Sequence, residues 1–412
     1  MALVTQRRRP PVGELARMID VRGFAPATRN RRLAQIHTVA DLRALARRRV
    51  PRAVFDFVDG GAEAEVSIAR NHAAWRDVRF HPQILRDVGE VTLSRSLLGA
   101  RADLPIVLAP TGFTRMMHHE GERAAARAAA RAGIPYVLST VGTTSVEELV
   151  EASPAGRKWF QLYPRRDREI SEALVARALA AGYDALVLTL DTAVSGARFR
   201  DVRNGFTIPP RIGPRTLADM ARHPRWWLNL ITTEPLRFAS FDDWQGTAAE
   251  VANNMFDPTL GIEDFRRLRA FWPHPLLVKG VQTVADAQRV LDAGADGVVL
   301  SNHGGRQLDR SESPLRLLPE VRAAVGDRPE VYVDGGVTSG ADVCAAVALG
   351  ATGVFVGRAY LYGLMAGGEP GVARAVDILR TDVARTLRLL GVPDIDALTT
   401  DHASLPTTNR SN

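Results

Sequence analysis

"GVVLSNHGGRQLDRS", residues 297–311, starts as an uncharged run of small and β-branched residues and changes character at Ser301. The first part reads as a strand buried on both faces, because apolar positions follow one another without the alternation of a half-exposed strand. Seven other stretches have the same form: "LPIVLAP" 104–110, "PYVLST" 135–140, "KWFQLY" 158–163, "ALVLTLD" 185–191, "LLVKGV" 276–281, "VYVDGG" 331–336 and "GVFVGR" 353–358. Most are separated by helical patterns such as "SEALVARALAAG" and "VADAQRVLDAGA", which close on a glycine suited to a left-handed helix end. Eight buried strands alternating with helices predict an α/β fold, a (β/α)8 TIM barrel. A doubly wound sheet is the alternative, and its edge strands would have to read more polar than these.

At 412 residues and 46% hydrophobic content the chain can bury a large core. Its net charge of +7 is spread through ordinary helices, which argues against a nucleic-acid partner. The single cysteine, Cys344, sits in an alanine-rich stretch and reads as a buried structural thiol in a reducing compartment. The N-terminus has basic residues but no apolar run behind them, so the expectation is a cytoplasmic chain, neither exported nor membrane-spanning. Residues 1–100 are expected to be a helical extension packed on the barrel mouth and 101–395 the barrel. Residues 199–275 are expected to be a long loop insertion after strand four, and 396–412 a flexible tail.

In such a barrel the reactive groups stand where strands end at the C-terminal face. His303 occupies the sixth strand end, and the others supply Thr111, Ser139, Gln161 with Tyr163, Thr189 with Asp191, Lys279, Asp334 and Arg358. Singly, a histidine after a strand is more often structural and an aspartate more often a turn former. Polar groups at all eight ends together point to a site. "DGGV" and "GR" at the last two ends offer backbone amides beside a guanidinium, which suits a phosphate.

With "SNHGGRQLD", "FQLY", "TLDT", "LVKGV", "DGGV" and "VGR" in this order, residues 30–395 resemble the FMN-dependent α-hydroxy acid dehydrogenases and oxidases. That is the family of glycolate oxidase and L-lactate dehydrogenase, and the chain is most similar to its bacterial quinone-linked L-lactate dehydrogenases. The resemblance implies FMN as cofactor, no metal, a small 2-hydroxy acid as substrate, a quinone as acceptor and a homotetramer. Residue by residue it implies His303 as the base, Asp191 as the carboxylate that orients it, and Arg198 and Arg306 as the grip on the substrate carboxylate. Tyr163 is implied as the phenol at the substrate oxygen, and Lys279 as the cation beside the flavin N1 and O2 edge. Pro110, Thr111 and Gly112 are implied near the flavin ring, with Ser139, Gln161, Thr189 and Ser301 at its polar edges. Asp334 is implied at the ribityl hydroxyls, and Gly335, Gly336, Gly357 and Arg358 around the phosphate.

The chain departs from the family pattern at two of these places. "FDFVDGG" puts Phe57 where the family has a tyrosine that bonds the carboxylate, and Thr338 stands where many members carry an arginine. Val141 also replaces the tryptophan of glycolate oxidases, so the substrate pocket is expected to differ. Within the loop insertion, "HPRWWLNLITTEPLRFASF" sets Trp226 and Trp227 beside Arg222 and Arg225. Aromatics next to cations suit either a peripheral membrane contact on the inner face of the cell membrane or packing on the barrel rim or on a neighbouring subunit. Three further readings remain at this stage: an oxidase that uses oxygen and produces hydrogen peroxide, a catalytically impaired FMN-binding protein, and a phosphate-binding isomerase.

Overall fold

The computed structural model describes residues 29–205, 214–240 and 256–406. Eight strands form a closed parallel barrel: β1 Ile106–Leu108, β2 Tyr136–Ser139, β3 Lys158–Leu162, β4 Ala185–Thr189, β5 Leu276–Val281, β6 Gly297–Leu300, β7 Glu330–Val333 and β8 Gly353–Val356. Each pairs with the next, and β8 closes on β1 with Phe355 opposite Val107. Apart from Gly280 and Glu330 every strand residue is buried, which is why the sequence shows apolar runs without alternation.

The barrel interior is a packed core. Val107, Val137, Trp159, Val187, Leu277, Val299, Tyr332 and Phe355, one from each strand, meet inside it. Trp159 and Tyr332 lie edge to face at 6.1 Å. Leu97 and Ala102, from the hairpin Arg95–Leu97/Ala100–Ala102, join this cluster from below. With that end filled, the C-terminal strand ends are left to form the site.

Among the described residues four helices precede the barrel: the short Arg29–Ala34, then α1 Val39–Arg49, α2 Arg52–Asp59 and α3 Val66–Arg76. Helix α1 starts from a reciprocal capping box between Thr38 and Asp41. The N-terminal hundred residues are thus not purely helical, since they also hold the hairpin and the strand Arg79–Phe80. Residues 1–28 lie outside the described residues.

Two expectations about boundaries are corrected. The segment 199–275 is not one long loop: it holds α4 Phe199–Arg203, α5 Pro214–Ala221, α6 Pro224–Ile231 and α7 Ile262–Phe271. Helix α7 buries Phe265 and Leu268 and is the barrel's own helix between β4 and β5, its apolar stripe having been read as part of the insertion. Residues 206–213 and 241–255 of that segment lie outside the described residues. Nor is 396–406 a loose tail, because Ala403 and Ser404 pair antiparallel with Phe80 and Arg79, and Leu398 and Ala403 are buried. A terminus is held when its backbone and apolar groups find partners, here from a strand more than 300 residues earlier in the chain. Residues 407–412 lie outside the described residues.

After β7 and β8 follow α8 Gly340–Ala348, α9 Arg358–Gly367 and α10 Glu369–Leu390. Cys344 is buried in α8, and burial pushes its thiol up to about 12, as befits a structural residue.

Candidate active site

The loop after β6 carries the central group. His303, Gly304 and Gly305 take successive left-handed conformations, with φ of 57°, 63° and 75°. At Gly305 no side chain fits, since a Cβ would fall 2.8 Å from Ile68 Cγ1 of α3. His303 accepts the strain as a non-glycine residue, and its backbone N–H donates to Ser301 Oγ at 3.0 Å. Its Nδ1 lies 3.1 and 3.2 Å from the two carboxylate oxygens of Asp191. A carboxylate only accepts, so Nδ1 carries the hydrogen and Nε2 keeps a lone pair for the cleft. Burial alone would raise the Asp191 carboxyl, but His303 and Lys279 more than offset it and hold Asp191 below the ordinary carboxylate range. The Tyr163 hydroxyl stands 3.5 Å from Nε2, its ring stacked on the imidazole at 6.5 Å, and burial raises its phenol well above the ordinary value.

Two guanidiniums frame the cleft beside this pair. Arg198 and Arg306 both lie over the ring of Phe57, at 5.8 and 5.1 Å from its centroid. Arg306 donates from Nη1 to the carbonyls of Phe57 and Gly60, at 2.6 and 3.1 Å, and no ion pair holds it among the described residues. Burial, with Arg198 and Arg358 nearby, pushes it down to about 9. Arg198 has an ion pair with Asp201 at 3.4 Å. Burial raises the Asp201 carboxyl, with Arg198 and Arg306 opposing that shift. Charges so poorly balanced make this part of the cleft a receptor for an anion.

A second set of polar groups lines the barrel mouth. Lys279 Nζ donates to Ser301 Oγ at 2.7 Å and pairs with Asp334 Oδ2 at 2.9 Å. Ser139 Oγ donates to Gln161 Oε1 at 2.9 Å. Gln161 Nε2, Thr189 Oγ1 and Asp334 Oδ1, at the ends of β3, β4 and β7, are buried without a hydrogen-bond partner among the described residues. Pro110, Thr111, Gly112, Val141, Thr189, Asp334, Gly335, Gly336 and Gly357 border the same cleft of about 1050 Å³. The Thr111 hydroxyl is hydrogen-bonded to that of Tyr360. Every expected site residue is therefore in or beside one cleft, but one of them is turned otherwise than expected. The Arg358 guanidinium donates to the carbonyls of Val58, Gly304 and Gly60 at 3.0, 2.8 and 2.9 Å, so its side chain braces α2 and the β6 loop. Its backbone stands at the start of α9, where unpaired amides suit an anion.

Several residues that hold the site have no local motif. Asp309 accepts from the backbone N–H groups of Ala64, Val66 and Ser67, pinning the β6 loop to the start of α3. Asn302 and Asn71 exchange amide hydrogen bonds at 2.9 and 2.8 Å. Asp59 gathers Arg43, Arg200 and Tyr362, joining α1, α2, α4 and α9 above the cleft. The spacing between these partners is set by the fold, so no pattern in the sequence marks them.

The model of the FMN-dependent dehydrogenase family matches residues 46–405. The chain belongs to the FMN-dependent dehydrogenase family. It is 54% identical over 402 residues to a protein of Mycobacterium tuberculosis named "Putative L-lactate dehydrogenase", covering 98% of this chain and 97% of that one. It is 42% identical to the (S)-mandelate dehydrogenase of Pseudomonas putida, covering 89% of this chain and 93% of that one. Among solved structures, that of a monotopic membrane protein, (S)-mandelate dehydrogenase, superposes with a TM-score of 0.86 at 41% identity, covering 90% of this chain and all of that one. The chain is thus a flavoprotein oxidoreductase with FMN as its cofactor. The residues present fit that group: the unpartnered polar atoms of Gln161, Thr189 and Asp334 suit its polar edges. The Gly335–Gly336 turn comes so close to α3 that a Cβ on either would crowd Asn71 or Trp75.

Proposed function

We propose that this dehydrogenase oxidises an L-2-hydroxy acid to the 2-oxo acid and passes the electrons to a membrane quinone. The observation that carries the reading is His303 Nε2, backed by Asp191, beside the guanidiniums of Arg198 and Arg306, the latter without an ion pair among the described residues. His303 takes a proton from the substrate, and Asp191 stabilises the imidazolium that results. Arg198 and Arg306 hold the carboxylate, and the Tyr163 hydroxyl donates to the substrate oxygen. When bound, FMN supplies the two-electron sink. Lys279 places a positive charge at the ring edge where negative charge accumulates, with Ser301, Gln161, Thr189 and Ser139 beside it. Asp334 accepts from ribityl hydroxyls, and the amides around Gly336 and Gly357 receive the phosphate.

L-Lactate is the first substrate to test. A bulkier apolar acid is the second reading, favoured because Phe57, Val141, Phe256 and Phe238 line the cleft and a mandelate dehydrogenase is among the relatives. The quinone reading draws support from α6, where Leu228 and Ile231 are 46% and 63% exposed beside Arg222 and Arg225, and from the monotopic membrane relative. It places the enzyme at the inner face of the cell membrane. Assembly of several copies belongs to the same reading, and exposed Ile84 and Leu85 offer apolar surface for it.

The test is anaerobic mixing of the holoenzyme with a panel of L-2-hydroxy acids while the flavin absorbance is followed. At least one acid should bleach it, and His303→Gln should keep the flavin yet slow bleaching about 100-fold or more. If no 2-hydroxy acid bleaches the flavin, the substrate class is wrong. Rapid recolouring by oxygen, with hydrogen peroxide released, would replace the quinone by an oxidase reading.

A further inference from the structure

We propose that His72 is a phosphate-binding residue of the cofactor site, the side chain that meets the FMN phosphate from the N-terminal helices. The barrel loops offer the phosphate backbone amides around Gly336 and Gly357, but their polar side chains there are engaged elsewhere. Thr338 and Ser339, ahead of α8, give their backbone N–H groups to Asp342 at 2.8 and 2.9 Å, and the Thr338 hydroxyl faces the same carboxylate. The Arg358 guanidinium is committed to three backbone carbonyls. Arg43 is held by both oxygens of Asp59, and Arg76 donates to the carbonyl of His72 itself.

His72 lies on α3, the helix against which the Gly335–Gly336 turn packs. A Cβ on Gly336 would sit 3.4 Å from the backbone carbon of Asn71, the atom bonded to the His72 nitrogen. His72 borders the same cleft as Gly336, Thr338, Ser339 and Gly357. Its ring makes no hydrogen bond to protein among the described residues, although it is only partly exposed. Burial lowers its basicity, and Arg358, Arg76 and Arg43 lower it further, against the weaker opposing effect of Asp59. Carbonyls satisfy the hydrogen bonds of Arg358 but leave its charge standing, so the ring faces a positive field. A phosphate dianion placed there relieves that field, restores the imidazolium and receives a charge-assisted hydrogen bond from it.

The test separates contact with phosphate from support of the helix. The full-length apoprotein, freed of flavin, is titrated with FMN and with riboflavin, which lacks the phosphate, and flavin fluorescence quenching is read. His72→Gln should weaken FMN about tenfold or more and leave riboflavin within about twofold of the parent, the size expected for one hydrogen bond to a charged group. His72→Arg should recover most of the FMN affinity, because a guanidinium also serves a phosphate. If His72→Gln weakens both flavins alike, the residue only supports the fold. If it weakens neither, the phosphate is held by backbone amides without His72. Either result overturns the proposal, and neither bears on which 2-hydroxy acid is oxidised.

Discussion

Phe57 is the residue at which this chain differs most consequentially from the pattern it resembles. Its ring is not spare bulk in the pocket, since the guanidiniums of Arg198 and Arg306 both rest on it. An aromatic face stabilises two neighbouring cations without neutralising either, but it donates nothing to a carboxylate. A hydroxyl donated to a carboxylate is worth about 1.5–3 kcal/mol, or roughly 10- to 150-fold in binding. Phe57→Tyr is therefore expected to lower KM for lactate or glycolate about tenfold and to change it much less for a bulky apolar acid. Steady-state kinetics on both kinds of acid check this. Equal or poorer KM values for every small acid would place residue 57 away from the carboxylate.

Helix α6 carries exposed apolar side chains beside basic ones. The sequence allows its tryptophans either a membrane contact or packing on the rim. Trp226 donates from Nε1 to the Met116 carbonyl at 2.8 Å and packs on the rim, so it is part of the fold. Leu228 and Ile231 point outward beside exposed basic residues. No helix among the described residues is long and apolar enough to cross a membrane. Contact through α6 would be interfacial, with apolar side chains in the acyl boundary and arginines at the headgroups. Leu228→Ser combined with Ile231→Ser should leave turnover with a soluble dye unchanged and reduce partition onto anionic vesicles. Two buried side chains at about 1.5 kcal/mol each predict a loss of roughly 100-fold. Unchanged sedimentation with vesicles would assign the patch to another subunit.

At the scale of the whole molecule, the β6 loop is stretched between the barrel and the N-terminal helices. Its front end carries His303 toward Asp191, and its far end is anchored by Asp309 to the amides that open α3. Burial tends to raise the Asp309 carboxyl, and the donated N–H groups hold it below its usual range. Asp309→Ala leaves those amides unsatisfied and is expected to lower stability by about 2–4 kcal/mol. It should also slow flavin reduction, because the base loses its fixed approach. Urea unfolding and stopped-flow reduction measure the two effects, and normal reduction in a destabilised variant would confine Asp309 to the fold.

What the sequence by itself determined was whatever repeats or sits at a strand end. A β-strand buried on both faces must be apolar throughout, so β1 to β8 declared themselves, and a barrel mouth collects the residues that follow them. His303, Asp191, Lys279, Gln161 and Asp334 were legible for that reason. The tertiary structure alone decided what depends on partners far apart in the chain. Asp309 with α3, Asn302 with Asn71, and Arg79–Phe80 with Ala403–Ser404 are separated by more than 200 residues, and no local spacing encodes such pairs. The same limit explains why nothing in the sequence shows that the Arg358 guanidinium goes to three backbone carbonyls. Residue type shows what a side chain can donate, but only folding brings the acceptor that claims it.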